Sequence, residues 1–510
     1  MLILLISNLI VKVVGVMFKI PLVGIMGDEG MGYFNSAYTV YTLFYTVSSS
    51  GLPLALSILI SRCDTEGRQG DKARVYSAAL CLFAVMGGFF TLVMFLGSGA
   101  LGEIIGNPSA APSILAISPV MLFICITSAV RGYFQGHQNM IPTAVSQMVE
   151  AMGKLVFGIL FSLYAVKKGY SFPVVAAYSI LGITLSEALC MLCLLLFRKN
   201  KSVRDGYTMR RRDAIAGIVK TALPITVSSA VVSLSGLLDL MIVMNRLTSI
   251  GYSAEMANAL FGNYTGLAMP LFNLPASLIT PISLGIVPYI TSALALNDGE
   301  LAVKTVRSSI KSTMIIAFPC AFGLSALSEP ILKLIFDDAQ AQRAAENLAL
   351  LALATVGVAM TSVTSAILQS YGHRMFPILS MTAGCAVKLI SGYFLIGELG
   401  MTGTPISTGL CYGVTSVLNL WYIYVKIGRA MEPWRGFFKP MICGALSAAA
   451  GYFAHGYMEG RIQASLACVL AIGFAGGLYL LLGAVFSLVD IEDTKVFPGG
   501  KYIEKLIAKK

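Results

Sequence analysis

Hydrophobic runs of about 20 residues, separated by short polar segments, recur along the whole chain. A helix of that length crosses the ~30 Å hydrocarbon core of a bilayer. Within lipid, a spanning segment must satisfy its own backbone N–H and C=O groups, which favours helices. The pattern predicts fourteen transmembrane helices at residues 2–25, 33–61, 77–99, 113–134, 143–165, 172–197, 214–244, 264–294, 310–330, 347–371, 376–397, 402–426, 439–458 and 464–489.

The composition supports the same fold class. Of the 510 residues, 56% are hydrophobic and only 12% are charged, whereas about 25% of the residues in soluble domains are charged. The first hydrophobic run lacks the basic segment and small-residue cleavage site of a signal peptide, so we expect a first transmembrane helix there. The pair Cys190 and Cys193 forms a C-x-x-C inside an apolar run, where we expect neither a metal nor a redox role. The chain is predicted to be an all-α polytopic membrane protein.

Basic residues are distributed unevenly between alternate loops. With a cytoplasmic N-terminus, twenty-five of the thirty-six lysines and arginines, Arg131 among them, fall in cytoplasmic segments, and six fall outside. Cytoplasmic loops of membrane proteins carry the excess of Lys and Arg, so both termini are predicted to be cytoplasmic. The net charge of +11 is then a signal of topology, and it does not imply nucleic-acid binding.

One phrase occurs twice, as GHQNMIP at residues 136–142 and GHRMFP at residues 372–377. Each copy is predicted to form the turn between the fourth and fifth helix of its half of the chain. A glycine, Gly136 or Gly372, is expected to end one helix in a left-handed cap. A proline near the first turn then starts the next helix.

The repeated phrase predicts two six-helix halves of the same orientation. Parallel repeats of this kind, with a substrate site at their interface, are typical of transporters. The predicted organisation is an N-terminal lobe at 1–197, a basic cytoplasmic linker at 198–213, a C-terminal lobe at 214–428, two extra helices at 429–489 and a cytoplasmic tail at 490–510.

Several motifs resemble a known family. FKIPL, RGYFQGHQNMIPTAVSQMVE and GLAMPLFNLPASLITPISLGIVP are similar to the MurJ/SpoVB branch of the MOP exporter superfamily, over nearly the whole chain. The resemblance implies a MATE/MurJ-like fold in which two bundles expose a central cavity to each side in turn. It also implies that the two extra helices form a groove for a polyprenyl tail. Gram-negative members carry cavity arginines in helices two and eight, where this chain has Tyr45, Thr46, Ser48, Thr265 and Gly266.

Charged residues within predicted spans are the candidate substrate-binding groups, because a charge inside a bilayer usually faces a cavity or a partner. Lys12 and Lys19 are seven residues apart and share one face of helix one. They would present point charges to a pyrophosphate; packing with access to water is the alternative.

Five further charged residues lie within spans. Glu150 and Lys154 are spaced as an i,i+4 ion pair, serving either structure or a cavity. Lys388 has no acid at the matching position and must find water, a carbonyl or an anion. Asp239 could bind a cation or a proton, or balance a lysine. Glu187 in helix six is similar but less strongly indicated.

Glycine and proline residues interrupt helices two and eight. Membrane helices tolerate such kinks, but their number in helix eight favours bending during a transport cycle. The candidate hinge residues are Gly51, Pro53, Pro270, Pro275, Pro281 and Pro288.

The predicted function is a flippase or exporter. By the family resemblance, the substrate is an undecaprenyl-pyrophosphate-linked saccharide, either lipid II or a polysaccharide unit, moved across the cytoplasmic membrane. A cation-coupled drug antiporter of the MATE type is the alternative. Extramembrane loops are short, which argues against an enzyme, and the sequence lacks the phosphate-binding loop of ATPases. We expect a lipid-linked oligosaccharide and the bilayer as partners, a monomer, no metal and no cofactor, with Na⁺ or H⁺ coupling left open.

Overall fold

The computed structural model describes residues 2–197, 209–296, 298–428 and 432–488. The predicted tail at 490–510 and most of the predicted linker lie outside these residues. The chain divides into two compact units, Met1–Gly262 and Asn263–Lys510. The predicted lobes are defined by a sequence repeat, whereas these units are defined by compactness. The predicted lobe boundaries therefore remain a proposal.

The described residues of the first unit form ten α-helices, the last of which ends one residue beyond the unit, and one 3₁₀ helix at Pro108–Ala110. The α-helices are α1 (Leu2–Ser49), α2 (Leu52–Thr65), α3 (Gln69–Leu96), α4 (Ser98–Ile104), α5 (Ala111–Ile117), α6 (Val120–Gly136), α7 (Ile141–Lys167), α8 (Phe172–Leu196), α9 (Arg211–Ser249) and α10 (Ala254–Asn263).

The second unit begins with a π-helical turn, Tyr264–Ala268, and has a second one at Trp434–Phe438. Its described helices are α11 (Met269–Ala295), α12 (Gly299–Ala326), α13 (Ser328–Ile335), α14 (Asp338–Ser370), α15 (Met375–Leu399), α16 (Gly403–Ile427), α17 (Lys439–Met458) and α18 (Ala464–Val485).

Each of the fourteen predicted spans overlaps a described helix. Within the described residues, eleven stretches are long and apolar enough to cross a membrane, and two of these, Val13–Thr65 and Met375–Ile427, are 53 residues long. Each long stretch covers all or part of two predicted spans and is interrupted by a glycine with positive φ, Gly27 at 62° and Gly400 at 64°. Large apolar side chains face outward, including Leu196, which is 85% exposed. The protein is an all-α polytopic membrane protein.

The boundaries near the N-terminus differ from the prediction. The loop expected between the first two spans is helical, and only Gly27 departs from helical geometry, with ψ at −171°. The chain breaks instead inside the second predicted span, between Ser49 and Leu52. Gly51 lies at this break and Pro53 in the first turn of α2. A proline there loses no helical hydrogen bond.

The two Gly-His turns close in different ways. Gly372 is left-handed, with φ at 86°, as predicted. The expected cap at Gly136 is wrong, because α6 continues through it and the left-handed residue is Gln138. Gly136 instead lets α2 approach closely, since a Cβ there would lie 2.7 Å from the Cβ of Ile60.

Each unit has its own apolar core. In the first unit, α2, α3, α6 and α9 surround Leu56, Ile60 and Phe83, which are fully buried. In the second unit, α11, α12, α14 and α16 enclose a core that includes Ile310 and Ile367. These cores hold the helices against each other, while the outward faces are left for lipid.

Candidate functional site

A polar stripe runs along α7, formed by Ser146, Glu150 and Lys154. These residues are four apart, so their side chains lie on one face of the helix. The ammonium of Lys154 donates to Oε1 of Glu150 at 2.6 Å. The ion pair predicted from the spacing is therefore present.

A second cation comes from α6. The Arg131 guanidinium donates through Nη2 to Oε2 of Glu150 at 3.0 Å, and through Nε to the Ser146 hydroxyl at 3.0 Å. The same Nη2 lies 3.3 Å from Sγ of Cys190 in α8. Each oxygen of Glu150 thus has its own cationic donor, and the side chains of all three ionic residues are no more than 21% exposed.

The third helix, α8, brings a second acid. Glu187 and Cys190 are both fully buried, and a carboxylate oxygen of each glutamate and the Cys190 sulfur all lie within 4.8 Å of one another. Neither oxygen of Glu187 has a hydrogen-bond partner among the described residues. We call Arg131, Glu150, Lys154, Glu187 and Cys190 the charge cluster.

Close packing of α7 on α8 sets these distances. A Cβ at Gly182 would lie 2.5 Å from the backbone of Phe157, and one at Gly153 would lie 2.5 Å from the Ser186 hydroxyl. That hydroxyl donates to the backbone carbonyl of Glu150 at 2.6 Å. Small residues at a membrane helix interface allow two helices to approach this closely. The close approach of α7 and α8 places Glu187 beside Glu150.

Tyrosines of α1 cover the cluster. Tyr38, Tyr41 and Tyr45 follow each other along one face, with ring centroids 5.3 Å and 5.6 Å apart. Tyr41 is buried and interacts electrostatically with both glutamates, and Tyr38 does so with Lys154. The cluster therefore lies among four helices of a single unit, α1, α6, α7 and α8.

The donor set of two carboxylates and a thiol could in principle hold a metal ion. Both oxygens of Glu150, however, already accept from Lys154 and Arg131. A divalent cation would add two positive charges beside two existing ones, at a place with low dielectric. The residues present do not fit such an ion well.

The other predicted substrate-binding residues lie outside the charge cluster, in α1, α9 and α15. Lys12 lies in α1, but its side chain is outside the described residues. Lys19, seven residues further along α1, is half-buried. No ion pair to Lys19 is found within the described part of the chain. Asp239 is half-buried in α9 and contacts neighbouring groups. Lys388 is half-buried in α15 of the second unit, where it interacts electrostatically with Tyr412 of α16.

The candidate hinge residues fall in two places. Gly51 and Pro53 mark the break between α1 and α2. The four prolines of the eighth predicted span all lie in α11, directly after a π-helical turn; they are Pro270, Pro275, Pro281 and Pro288. Their role in bending remains a prediction.

Two members of the cluster are not evident from the sequence. The distribution of basic residues counts Arg131 in a cytoplasmic segment, but Arg131 lies within α6 and donates to Glu150. Glu187 was only weakly indicated. Three consecutive predicted spans each contain charged residues, and charged residues within a membrane usually pair with one another. That pattern was the available signal for a shared cluster.

Long helices with ionisable side chains buried inside the spans are typical of polytopic membrane proteins that have a functional site within the bilayer. The family described as polysaccharide biosynthesis protein matches residues 1–294, more than half of the chain. The chain therefore belongs to that family.

Three relatives from Bacillus subtilis (strain 168) align over nearly their whole length. The lipid II flippase MurJ is 24% identical over 92% of this chain and 92% of its own. Stage V sporulation protein B is 24% identical over 98% and 96%. The uncharacterized membrane protein YabM is 23% identical over 100% and 96%.

Two solved structures share the fold. The lipid II flippase MurJ in an inward closed conformation aligns with a TM-score of 0.74 at 14% identity, covering 95% of this chain and 99% of that one. An inward-facing MATE family multidrug transporter of the MOP superfamily aligns with a TM-score of 0.67 at 16% identity, covering 82% and 95%. The resemblance to MurJ and SpoVB drawn from the motifs is confirmed by these relatives, and the fold is shared with the MATE transporter.

Proposed function

We propose that the protein moves an undecaprenyl-pyrophosphate-linked saccharide across the cytoplasmic membrane by alternating access. The observation that carries this proposal is an apolar groove of about 420 Å³ in the second unit, between α11, α12, α17 and α18. A lipid-linked substrate needs such a surface for its hydrocarbon tail, whereas a small soluble substrate does not.

The groove has the shape and chemistry for an isoprenoid chain. Leu271, Pro275, Leu324 and Ala475 line it, together with the ring of Tyr479. The Tyr479 hydroxyl donates to the backbone carbonyl of Ile315 at 2.7 Å, so its polar atom is satisfied and its ring is presented to the groove. The tail enters the groove from bilayer hydrocarbon and not from water, so close packing against these side chains would hold it there.

The charged end of the substrate requires cations. Lys19 is half-buried in α1, and a lysine inside a bilayer costs about 2.5–3.5 kcal/mol on insertion scales. An anionic pyrophosphate offsets that cost, which supports the role proposed for Lys12 and Lys19. One relative is a lipid II flippase, and the matching family is described as polysaccharide biosynthesis protein. These two names support lipid II or a polysaccharide unit as the saccharide.

A cation-coupled drug antiporter is the second candidate, favoured by the match to a MATE transporter. That match covers 82% of the chain, against 95% for the flippase structure. The wider match and the groove beside α17 and α18 favour the lipid-linked substrate.

Complementation tests the proposal. A bacterium depleted of its own lipid II flippase is supplied with the wild-type chain, with Lys19→Ala, or with Lys167→Ala as a control, since Lys167 is exposed at the end of α7. We expect externally accessible lipid II and growth from the wild type and the control, and loss of both from Lys19→Ala. If the inserted wild type does not rescue, lipid II is not the substrate. The same assay is then repeated with a host lacking a polysaccharide-lipid exporter, and failure there as well overturns the proposal.

A further inference from the structure

Glu187 is the one carboxyl of the charge cluster that has no cation of its own. Its side chain is fully buried, and neither of its oxygens accepts a hydrogen bond from the described residues. Glu150, by contrast, accepts from Lys154, Arg131 and, through its backbone carbonyl, Ser186. Two carboxyls placed side by side thus have opposite surroundings.

These surroundings favour different charge states. Glu150 is stabilised as a carboxylate because each oxygen has a charged donor. An ionised Glu187 would be a buried charge without a hydrogen-bond donor, next to a second carboxylate; both conditions favour the neutral acid, and the nearby charges of Lys154 and Arg131 oppose them in part. A buried carboxylate without donors costs far more than a protonated one.

Ionisable groups face Glu187 from three of the helices packed against α8 and from α8 itself. They are Arg131 from α6, Glu150 and Lys154 from α7, Tyr41 from α1 and Cys190 on its own helix. The packed segment of α5, Ala111–Ile117, contributes no ionisable residue. Both cations are already engaged by Glu150, so neither is available to Glu187 without breaking an existing ion pair.

We propose that Glu187 is a proton-binding site within the first unit, occupied in the conformation described here. When the proton leaves, it passes from a carboxyl oxygen of Glu187 to water, leaving a carboxylate, and no electrons are exchanged. The proton fits where a divalent ion does not, because it adds one charge and occupies a carboxyl oxygen that otherwise has no partner.

Proton binding at this place is linked to conformation. A proton stabilises the arrangement in which Glu187 is sealed between α7 and α8. A conformation in which water or a cation reaches Glu187 releases the proton, and the difference in proton affinity is the free energy available to shift the equilibrium. The coupling to transport rests on the proposed function, whereas the binding site itself does not.

Infrared difference spectroscopy tests the site without any substrate. The purified full-length chain in lipid is compared with Glu187→Gln, which keeps the size and neutrality of the acid. Glu103→Gln, at an exposed position of α4, is the control. We expect wild type and control to show, at neutral pH, the carbonyl stretch of a protonated carboxyl, shifted in D₂O, and Glu187→Gln to lack it. Absence of the band from wild type, or its persistence in Glu187→Gln, overturns the site.

Transport in proteoliposomes tests the coupling separately. We expect the rate of lipid-linked substrate movement to depend on pH in wild type and in Glu103→Gln, and to lose that dependence in Glu187→Gln. A protonated Glu187 with pH-independent transport overturns the coupling and leaves the site intact. An infrared band without any transport leaves the site intact and contradicts the proposed function instead.

Discussion

The ammonium of Lys154 lies 2.6 Å from Oε1 of Glu150, one turn earlier in α7, and the Arg131 guanidinium occupies the other oxygen at 3.0 Å. The single carboxylate of Glu150 is thus the counter-ion of two cations, Arg131 from α6 and Lys154 from α7. We expect Glu150→Gln to lower the free energy of unfolding by about 3–5 kcal/mol, because it leaves two poorly solvated cations without an anion. Thermal unfolding of the purified protein measures the effect.

A double-mutant cycle separates this effect from lost packing. Lys154→Met is combined with Glu150→Gln, and the coupling energy between the two positions is expected to be of order 1–3 kcal/mol. Additive losses would mean that the contact is present but contributes no pairwise stabilisation. Lys168→Met, at an exposed position following α7, controls for loss of a lysine.

The contact of α7 with α8 at Gly182 predicts a steric effect. A Cβ there would lie 2.5 Å from the backbone of Phe157, so Gly182→Ala should force the helices apart and destabilise the protein by about 1–3 kcal/mol. Gly88→Ala in α3 is the matched control, because nothing lies within 4 Å of its added methyl group. Equal melting temperatures for the two variants would contradict the packing described.

The apolar groove predicts a loss of transport without loss of fold. Gly476 lines the groove, and an added Cβ would meet nothing within 4 Å, so Gly476→Phe should fill the groove and leave the helices in place. The filled groove could no longer pack against the tail, and we expect the transport rate to fall more than about tenfold, which corresponds to about 1.4 kcal/mol. Gly473→Phe, three residues earlier on α18 and outside the groove, should transport at the wild-type rate in proteoliposomes.

The orientation of the chain is open to chemical labelling. The distribution of basic residues predicts that the segment after α7 faces outward and that the segment after α2 faces the cytoplasm. In intact cells, Lys168→Cys should react with a membrane-impermeant maleimide, and Thr65→Cys should react only after lysis. The wild-type chain reports the background from its ten cysteines. The reverse pattern would place both termini outside.

Local features could be predicted because their causes lie within one helix. Hydrophobic length placed a helix at each predicted span, although not its exact ends, and the i,i+4 spacing identified the pair of Glu150 with Lys154. The left-handed Gly372 was also predictable, since a short turn between two helices needs positive φ. In each case the interacting groups are separated by a few residues of known geometry.

Features that depend on the rotation of one helix against another could not be predicted. Arg131 lies 19 residues from Glu150 and 59 from Cys190, and nothing in the local pattern states which face of α6 turns toward α7. Gly136 was expected to cap a helix, but it serves as a contact point for Ile60, a residue of another helix. The isolation of Glu187 likewise appears only once its neighbours are in place.

The charge cluster has a consequence for the synthesis of the protein. Arg131 and Glu150 lie on consecutive spans, so the acid emerges from the ribosome shortly after the base. A lone arginine in the bilayer costs about 2.5–3.5 kcal/mol on insertion scales, and that cost falls when the partner helix arrives. The segments α6 and α7 are therefore suited to leave the translocon together as a hairpin, with their charges already paired.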